Sequence, residues 1–357
     1  MPESAAVSRP SAGLPSIRRT DCRTYCMDFS LAPSDILMYH FCCIIPAVSL
    51  QPQEVSPMKK ILVIGSAVAD IVIRLEALPK TSEDVLVQSQ SMSLGGCAFN
   101  VADMLRHFRV PYTLFAPVGS GIYGDFVQKE LTARGMSSPI RVPERPNGCC
   151  YCFVEPSGER TFLVDHGAEY LFRREWFGQL DPDDYGAAYV CGLEIEEKTG
   201  NIILDFLEQT GLPFFFAPGP RIRQICPERM NRIFSLHPVL HLNDEEVCSF
   251  TGCADPGNAA SALCRKTGNT VIVTCGENGA GYCSDPAQGL IRIPPVPAER
   301  VEDTIGAGDG HCGAVIACLA KGMRMPKAVA AANAVSSRIV SVRGALLSEE
   351  AFRSVRW

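Results

Sequence analysis

The sequence predicts a three-layer α/β/α sandwich, a mostly parallel central sheet with helices on both faces, and a small β lid. Two observations carry this. From Met58 onward, short β-branched runs alternate with amphipathic helical stretches, the pattern of strands buried on both faces and crossed over by helices. Two stretches, Asp84–Met92 and Cys149–Val164, break the alternation with interleaved polar residues around a Pro156-Ser157-Gly158 turn. They predict a second, smaller sheet, with lid segments near 79–92 and 148–166.

Taken in order, residues 1–57 are rich in Pro, Ser and Arg and lack hydrophobic periodicity. They are expected to lie outside the fold, as a disordered or non-native extension. Their apolar stretch, Ile36 to Leu50, is too short to cross a bilayer and is broken by His40 and Pro46. Arg18, Arg19 and Arg23 precede it and Ala47-Val48-Ser49 follows, but Asp28 and Asp35 spoil a secretion signal. The chain is therefore expected in the cytoplasm, its folded domain spanning 58–350 and opening on the strand Ile61–Ile64. Further core strands are expected at Tyr112–Ala116, Ala188–Cys191, Pro213–Ala217, Val239–Leu242 and Val271–Cys275. Between them, helices are expected at Ala98–Phe108, Tyr123–Arg134, Thr199–Gln209, Glu245–Thr251 and Pro256–Lys266.

Composition narrows the function. The 357 residues are 46% hydrophobic and 20% charged, enough for a large core, and the net charge of −6 contains no block of like charges. That leaves no electrostatic footprint for nucleic acid or an anionic membrane, so the partner is expected to be a small molecule. Seventeen cysteines are an odd number in a long chain, and many sit singly in apolar runs, as reduced core residues do. Cys149 and Cys152 have C-x-x-C spacing, but no second pair completes a zinc site.

The richest segment is Asp303-Thr304-Ile305-Gly306-Ala307-Gly308-Asp309, directly before the helix-forming run Gly313–Leu319. Glycines there leave backbone N–H groups free at a helix N-terminus, where phosphate oxygens bind and charge developing on a transferring phosphoryl group is stabilised. Asp309 is then placed to take a proton from an attacking alcohol, while the amides of Gly306, Ala307 and Gly308 hold the phosphoryl oxygens. The alternative is a glycine turn with Asp309 as an ordinary cap. Bare backbone at Gly95-Gly96 allows close approach of a polyol, and Asp70 and Asn100 offer acceptors and donors for it; a tight turn with a helix cap explains the same residues. Asn243 and Glu246 supply hard oxygens after a strand end, as Mg²⁺ requires, or form a plain helix cap.

The run Asp303–Asp309 resembles the C-terminal hallmark of the ribokinase-like (PfkB) carbohydrate kinases, and four further blocks agree in order and spacing over residues 58–345. The resemblance implies ATP-dependent phosphorylation of a sugar-like hydroxyl, with Asp309 as general base and 306–308 as anion hole. It implies substrate contacts at Asp70, Gly95, Gly96 and Asn100, and nucleotide contacts at Asn243, Thr274, Gly276, Gly279, Thr304 and Asn333. Glu246 is implied for Mg²⁺, and a monovalent cation such as K⁺ is associated with the loop beside the anion hole. Gly158–Phe162 looks like the family's lid hairpin, where Arg160 faces either a substrate anion or a salt bridge. Lid edges in the family often pair between subunits, which implies a homodimer.

Three departures lie on or beside the acceptor side: Val68, Gly121 and His311, where His311 either packs or reaches the substrate. A nucleoside kinase and a regulator that has lost catalysis are the alternatives. The G-x-G-x-x-G at Gly119–Gly124 is read as a decoy for dinucleotide binding, since its acidic partner, Glu144, lies in a Pro143–Pro146 loop.

Overall fold

The computed structural model describes residues 58–157 and 159–356, so the expectations for 1–57 lie outside the described residues. The strands are β1 (Lys60–Ile64), β2 (Val68–Arg74), β3 (Ser89–Gly95), β4 (Tyr112–Phe115), β5 (Val118–Ser120), β6 (Arg141–Pro146) and β7 (Cys149–Val154). They continue as β8 (Arg160–Asp165), β9 (Tyr185–Cys191), β10 (Phe214–Ala217), β11 (Val239–Asn243), β12 (Val271–Thr274), β13 (Ala280–Cys283) and β14 (Ile291–Ile293). The helices are α1 (Cys97–His107), α2 (Gly121–Ala133), α3 (Arg174–Phe177), α4 (Gly192–Glu196), α5 (Gly200–Thr210) and α6 (Pro227–Ser235). After these come α7 (Asp244–Thr251), α8 (Pro256–Thr267), α9 (Ala307–Ala320), α10 (Met325–Ile339) and α11 (Glu349–Arg353).

Eight strands form the central sheet in the order β14-β13-β12-β11-β10-β9-β1-β4, parallel from β12 to β4. All six strands expected from the sequence are in it. Alternation along each strand splits the core in two: Ile61 and Val63 face α1, α9 and α10, while Leu62 and Ile64 belong to the cluster containing α5, α6 and α8. This is the predicted three-layer sandwich. Because the strands run parallel, their carboxyl ends open on one edge, the usual position of a ligand crevice in such sheets.

The lid is a four-stranded sheet, β3-β2-β7-β8, in which β2 and β7 are parallel. Its strands differ from those expected. The extended segment expected at Asp84–Met92 becomes strand only from Ser89 and runs on to Gly95, and its partner β2 was not expected at all. Asp70 interrupts the apolar run Val68–Ile73 and hid the strand in what looked like a binding turn. In the G-x-G-x-x-G segment, the glycines serve packing: a Cβ on Gly119 would lie 2.5 Å from the Arg145 carbonyl, and one on Gly124 would lie 2.4 Å from that of Gly119. Glu144 lies on β6, not in a loop, and pairs with Arg173.

Candidate active site

Helix α9 begins without a side-chain cap. Its N-cap, Gly306, is left-handed with φ 71°, and the first-turn N–H groups have no acceptor within the helix, although that of Ala307, expected in the anion hole, donates back to the Thr304 carbonyl at 3.3 Å. Above Gly308 there is open space, for a Cβ added there meets nothing within 4 Å. An unfilled cradle over an uncapped helix head, at its positive dipole end, suits a phosphoryl group. The approach to it is held by Asp303, whose Oδ1 accepts the Ile305 N–H at 2.8 Å and whose Oδ2 accepts the Gly344 N–H at 3.2 Å. Thr304 is exposed beside this turn.

Asp309 lies in the first turn of α9, and the Asn100 side chain of α1 donates to its Oδ2 at 2.9 Å. Burial raises the Asp309 carboxyl to about 6, against the pull of donors from Asn100 and the Cys97 thiol. Asp70, on β2, is raised to about 7, first by burial and then by the charge of Asp309. It packs directly on the Gly95 backbone, where a Cβ would come 1.9 Å from its Oδ2. Gly96 starts α1 at φ 99°, and the Asn100 Oδ1 is buried without a partner. The acceptor residues and the base expected from the sequence are therefore brought together. Two neighbouring carboxyls titrate as a pair, and only the ionised base accepts a proton. With Asp309 as the base, kcat/KM is expected to rise with pH along an acid limb between about pH 6 and about pH 7. A limb lying below about pH 5 in the rate profile removes Asp309 as the base.

On the other side, Asn243 and Glu246 form a capping box: Asn243 Oδ1 accepts the Glu246 N–H at 2.7 Å, and Glu246 Oε2 accepts the Asn243 N–H at 3.0 Å. The cap engages one Glu246 oxygen, and the Asp309 charge is felt at this carboxyl. Burial, chiefly, and then Asp309 raise its pKa. Thr274 stands opposite Asn243 in the β11–β12 register. Gly276 and Gly279 follow at positive φ, with open space above Gly276. Asn333 is buried and uses its amide internally, donating to the Ile293 and Pro294 carbonyls at 3.3 and 2.9 Å. His311 donates from Nε2 to Asn333 Oδ1 at 3.2 Å and accepts on Nδ1 from His241 Nε2 at 2.9 Å. His311 therefore neither reaches the acceptor nor packs as a plain aromatic. Burial lowers its pKa to about 4, and burial and then the His311 charge hold that of His241 well below the usual histidine value, so both rings are neutral.

Arg160 makes the salt bridge of the two readings left open for it, at 2.8 Å from Asp303. Arg221 closes β10 in a double contact with Glu196 at 2.5 Å. Two residues were missed. Glu194 in α4 is fully buried, its oxygens lack a well-formed hydrogen bond, and burial raises it to about 7. A Cβ on Gly65, at the carboxyl end of β1, would lie 3.1 Å from it. The signal available was an acidic residue just past a buried parallel strand. The second is Cys97, between the glycine turn and Asn100, whose thiol reaches Asp309.

A carboxylate at the head of an uncapped helix, a second carboxylate across from it and a lid carrying that second group define a phosphotransferase acting on an alcohol. The chain belongs to the pfkB family of carbohydrate kinases, whose model matches residues 58–351. It is 33% identical over 296 residues to the uncharacterized sugar kinase YegV of Escherichia coli, covering 82% of this chain and 91% of that one. Its fold resembles the crystal structure of ribokinase from Thermotoga maritima, with TM-score 0.72, 21% identity and coverage of 83% and 99%. It also resembles the Arabidopsis thaliana ribokinase complexed with ribose and ATP, with TM-score 0.69, 20% identity and coverage of 83% and 98%. Among the described residues, no helix is long and apolar enough to cross a membrane.

Proposed function

We propose that this carbohydrate kinase moves the γ-phosphoryl of ATP to a hydroxyl of a sugar or sugar-like molecule, with Asp309 as general base. The observation that supports this most is the Asn100–Asp309 contact of 2.9 Å below an uncapped helix head. The contact ties α1, which follows the glycine turn, to the first turn of α9, which supports reading that turn, Asp309 and the helix head as one unit. Asp70 and Asn100 orient the acceptor, with Gly95 and Gly96 giving it access to the backbone. Asp309 removes the proton as the hydroxyl attacks, and the first-turn amides of α9 take up the charge on the phosphoryl oxygens. Thr274, Gly276 and Gly279 line the nucleotide side.

Glu246, half-buried and pinned by its cap, fits Mg²⁺ together with Asn243, and the ion would screen phosphate charge there. The carboxylate that the loop offers to a monovalent cation such as K⁺, Asp303, is shared with Arg160. The exposed Leu86, Phe162 and Leu163 on the lid favour a homodimer joined through that sheet, and the ATP requirement favours the cytoplasm.

A panel of sugars, sugar acids and nucleosides with Mg²⁺ and ATP, read by ADP release and thermal shift, tests this. One acceptor class is expected to raise ADP release at least about tenfold over the water background. A nucleoside hit moves the acceptor assignment to the nucleosides. ATP binding without turnover on any acceptor replaces the kinase with a regulator that has kept the fold.

A further inference from the structure

The lid is joined to the phosphoryl loop by a charge. Arg160 opens β8, the outer strand of the lid sheet, and the other five residues of that strand are exposed. Arg160 alone turns inward, its Nη2 lying 2.8 Å from Asp303 Oδ1, with side chains 20% and 13% exposed. Among the described residues, no other ion pair joins β2, β3, β7 or β8 to the body of the protein. The contact is also far from the acceptor acid. Arg160 shares a cross-strand row with Val154 and Arg74, while Asp70 shares one with Cys150 and Val164. At ~3.3 Å per residue, the two rows lie about 13 Å apart along the lid.

Asp303 is already a hub. The carboxylate that receives Arg160 also fixes the turn at Ile305 and the segment at Gly344, and the turn leads directly into Gly306 and the α9 head. We propose that Arg160 is a positioning residue, a latch that makes the aim of the anion-binding loop depend on the lid being down. This rests on the kinase function above. With the lid away, Asp303 loses its counter-charge and the loop its outer support. With the lid down, the pair holds the loop while the sheet covers the acceptor, so the cradle is in shape only when water is shut out. The partly enclosed position keeps the pair from being merely a screened surface contact.

The experiment uses the full chain with Arg160→Met, Arg160→Lys, Asp303→Asn and the double variant Arg160→Met with Asp303→Asn. Without ligands, hydrogen exchange is followed in segments 160–165 and 303–306. Arg160→Met and Asp303→Asn are each expected to speed exchange in both segments by about tenfold, and Arg160→Lys by less than about threefold. The double variant is expected to match the larger single effect, since the two changes break one contact. With Mg²⁺, ATP and D-ribose as acceptor probe, Arg160→Met is expected to lower kcat about tenfold with KM for ATP within about threefold. The ratio of ADP formed to sugar phosphate formed rises at least about fivefold, because the loosened site loses phosphoryl groups to water.

Unchanged exchange at 303–306 in Arg160→Met overturns the latch. So does a raised KM for ATP at an unchanged product ratio, which would place Arg160 on the nucleotide itself. If the wild type makes no sugar phosphate from ribose, that acceptor fails while the exchange measurement still decides the latch.

Discussion

Replacing Asp309 by Asn is expected to lower kcat by about 10²–10⁴, the usual contribution of a general base, while the Kd for ATP with Mg²⁺ is expected to stay within about threefold. The change is nearly isosteric, and the amide oxygen introduced would still accept the Asn100 side-chain N–H, so the α1–α9 contact of 2.9 Å survives. The same variant is expected to melt at a higher temperature. Burial holds the folded Asp309 carboxyl near 6 against an ordinary value of 3.8, so in that window the folded state binds more protons than the unfolded chain. Stability therefore falls as pH rises from about 4 to about 6, and the full cost of the buried charge is present above that. The amide removes the cost, raising Tm by about 2–4 °C at pH 8 with no gain at pH 4. Differential scanning fluorimetry at both pH values, beside a turnover assay, checks the pair of outcomes. Turnover retained within about tenfold removes Asp309 as the base, and an unchanged Tm at pH 8 removes the buried charge.

Gly306→Ala is expected to lower kcat by about 10², in the range found for losing one donor that stabilises a developing oxyanion. The cause is backbone geometry. Gly306 is held at φ 71°, and a Cβ there would lie 2.4 Å from the Ala345 Cβ and 2.7 Å from its Cα. Left-handed backbone costs an alanine about 1–2 kcal/mol, and Ala345 cannot yield without shifting its own main chain. The loop must move, and the N–H groups at the α9 head lose their aim. KM for the acceptor changes little, since Gly95 to Asn100 stand on a different element. Gly308→Ala is the control: it meets no atom within 4 Å and sits in the first turn of a helix, so Tm is kept. Its methyl group projects into the cradle, so activity falls without loss of stability. Equal Tm losses in the two variants would refute this account of the loop.

Much of this was legible because of the kind of burial involved. The core strands are covered on both faces and read as unbroken β-branched runs, so Ile61–Ile64 and Val271–Thr274 were visible from composition alone. The glycine turns were legible because few other residues tolerate their backbone. Strand β2 was not, since a strand that carries a site residue has a polar interruption at that residue. Strand β14 at the sheet edge and β13 beside it are short and contain Arg292 and Gly281, too brief to show a period. Glu194 lies in the acid-rich stretch Gly192–Glu197, and nothing in the order of residues shows that this one, unlike Glu196 with its arginine, is enclosed without a counter-charge. Arg160 and His311 were noticed, but their partners Asp303 and His241 lie far off in the chain, and only the closing of the sheet makes them neighbours.

The buried chain from His241 through His311 to Asn333 has a direction. Asn333 must present its oxygen, because its nitrogen is committed to the Ile293 and Pro294 carbonyls, and each ring then has one permitted tautomer. An apolar ring at 311 would strand the amide oxygen on one side and the imidazole N–H on the other. A change at one of the three positions alone therefore leaves a buried polar group unpaired and is expected to cost stability. The departure at 311 is thus answered inside the core, by His241 and Asn333, and not at the acceptor.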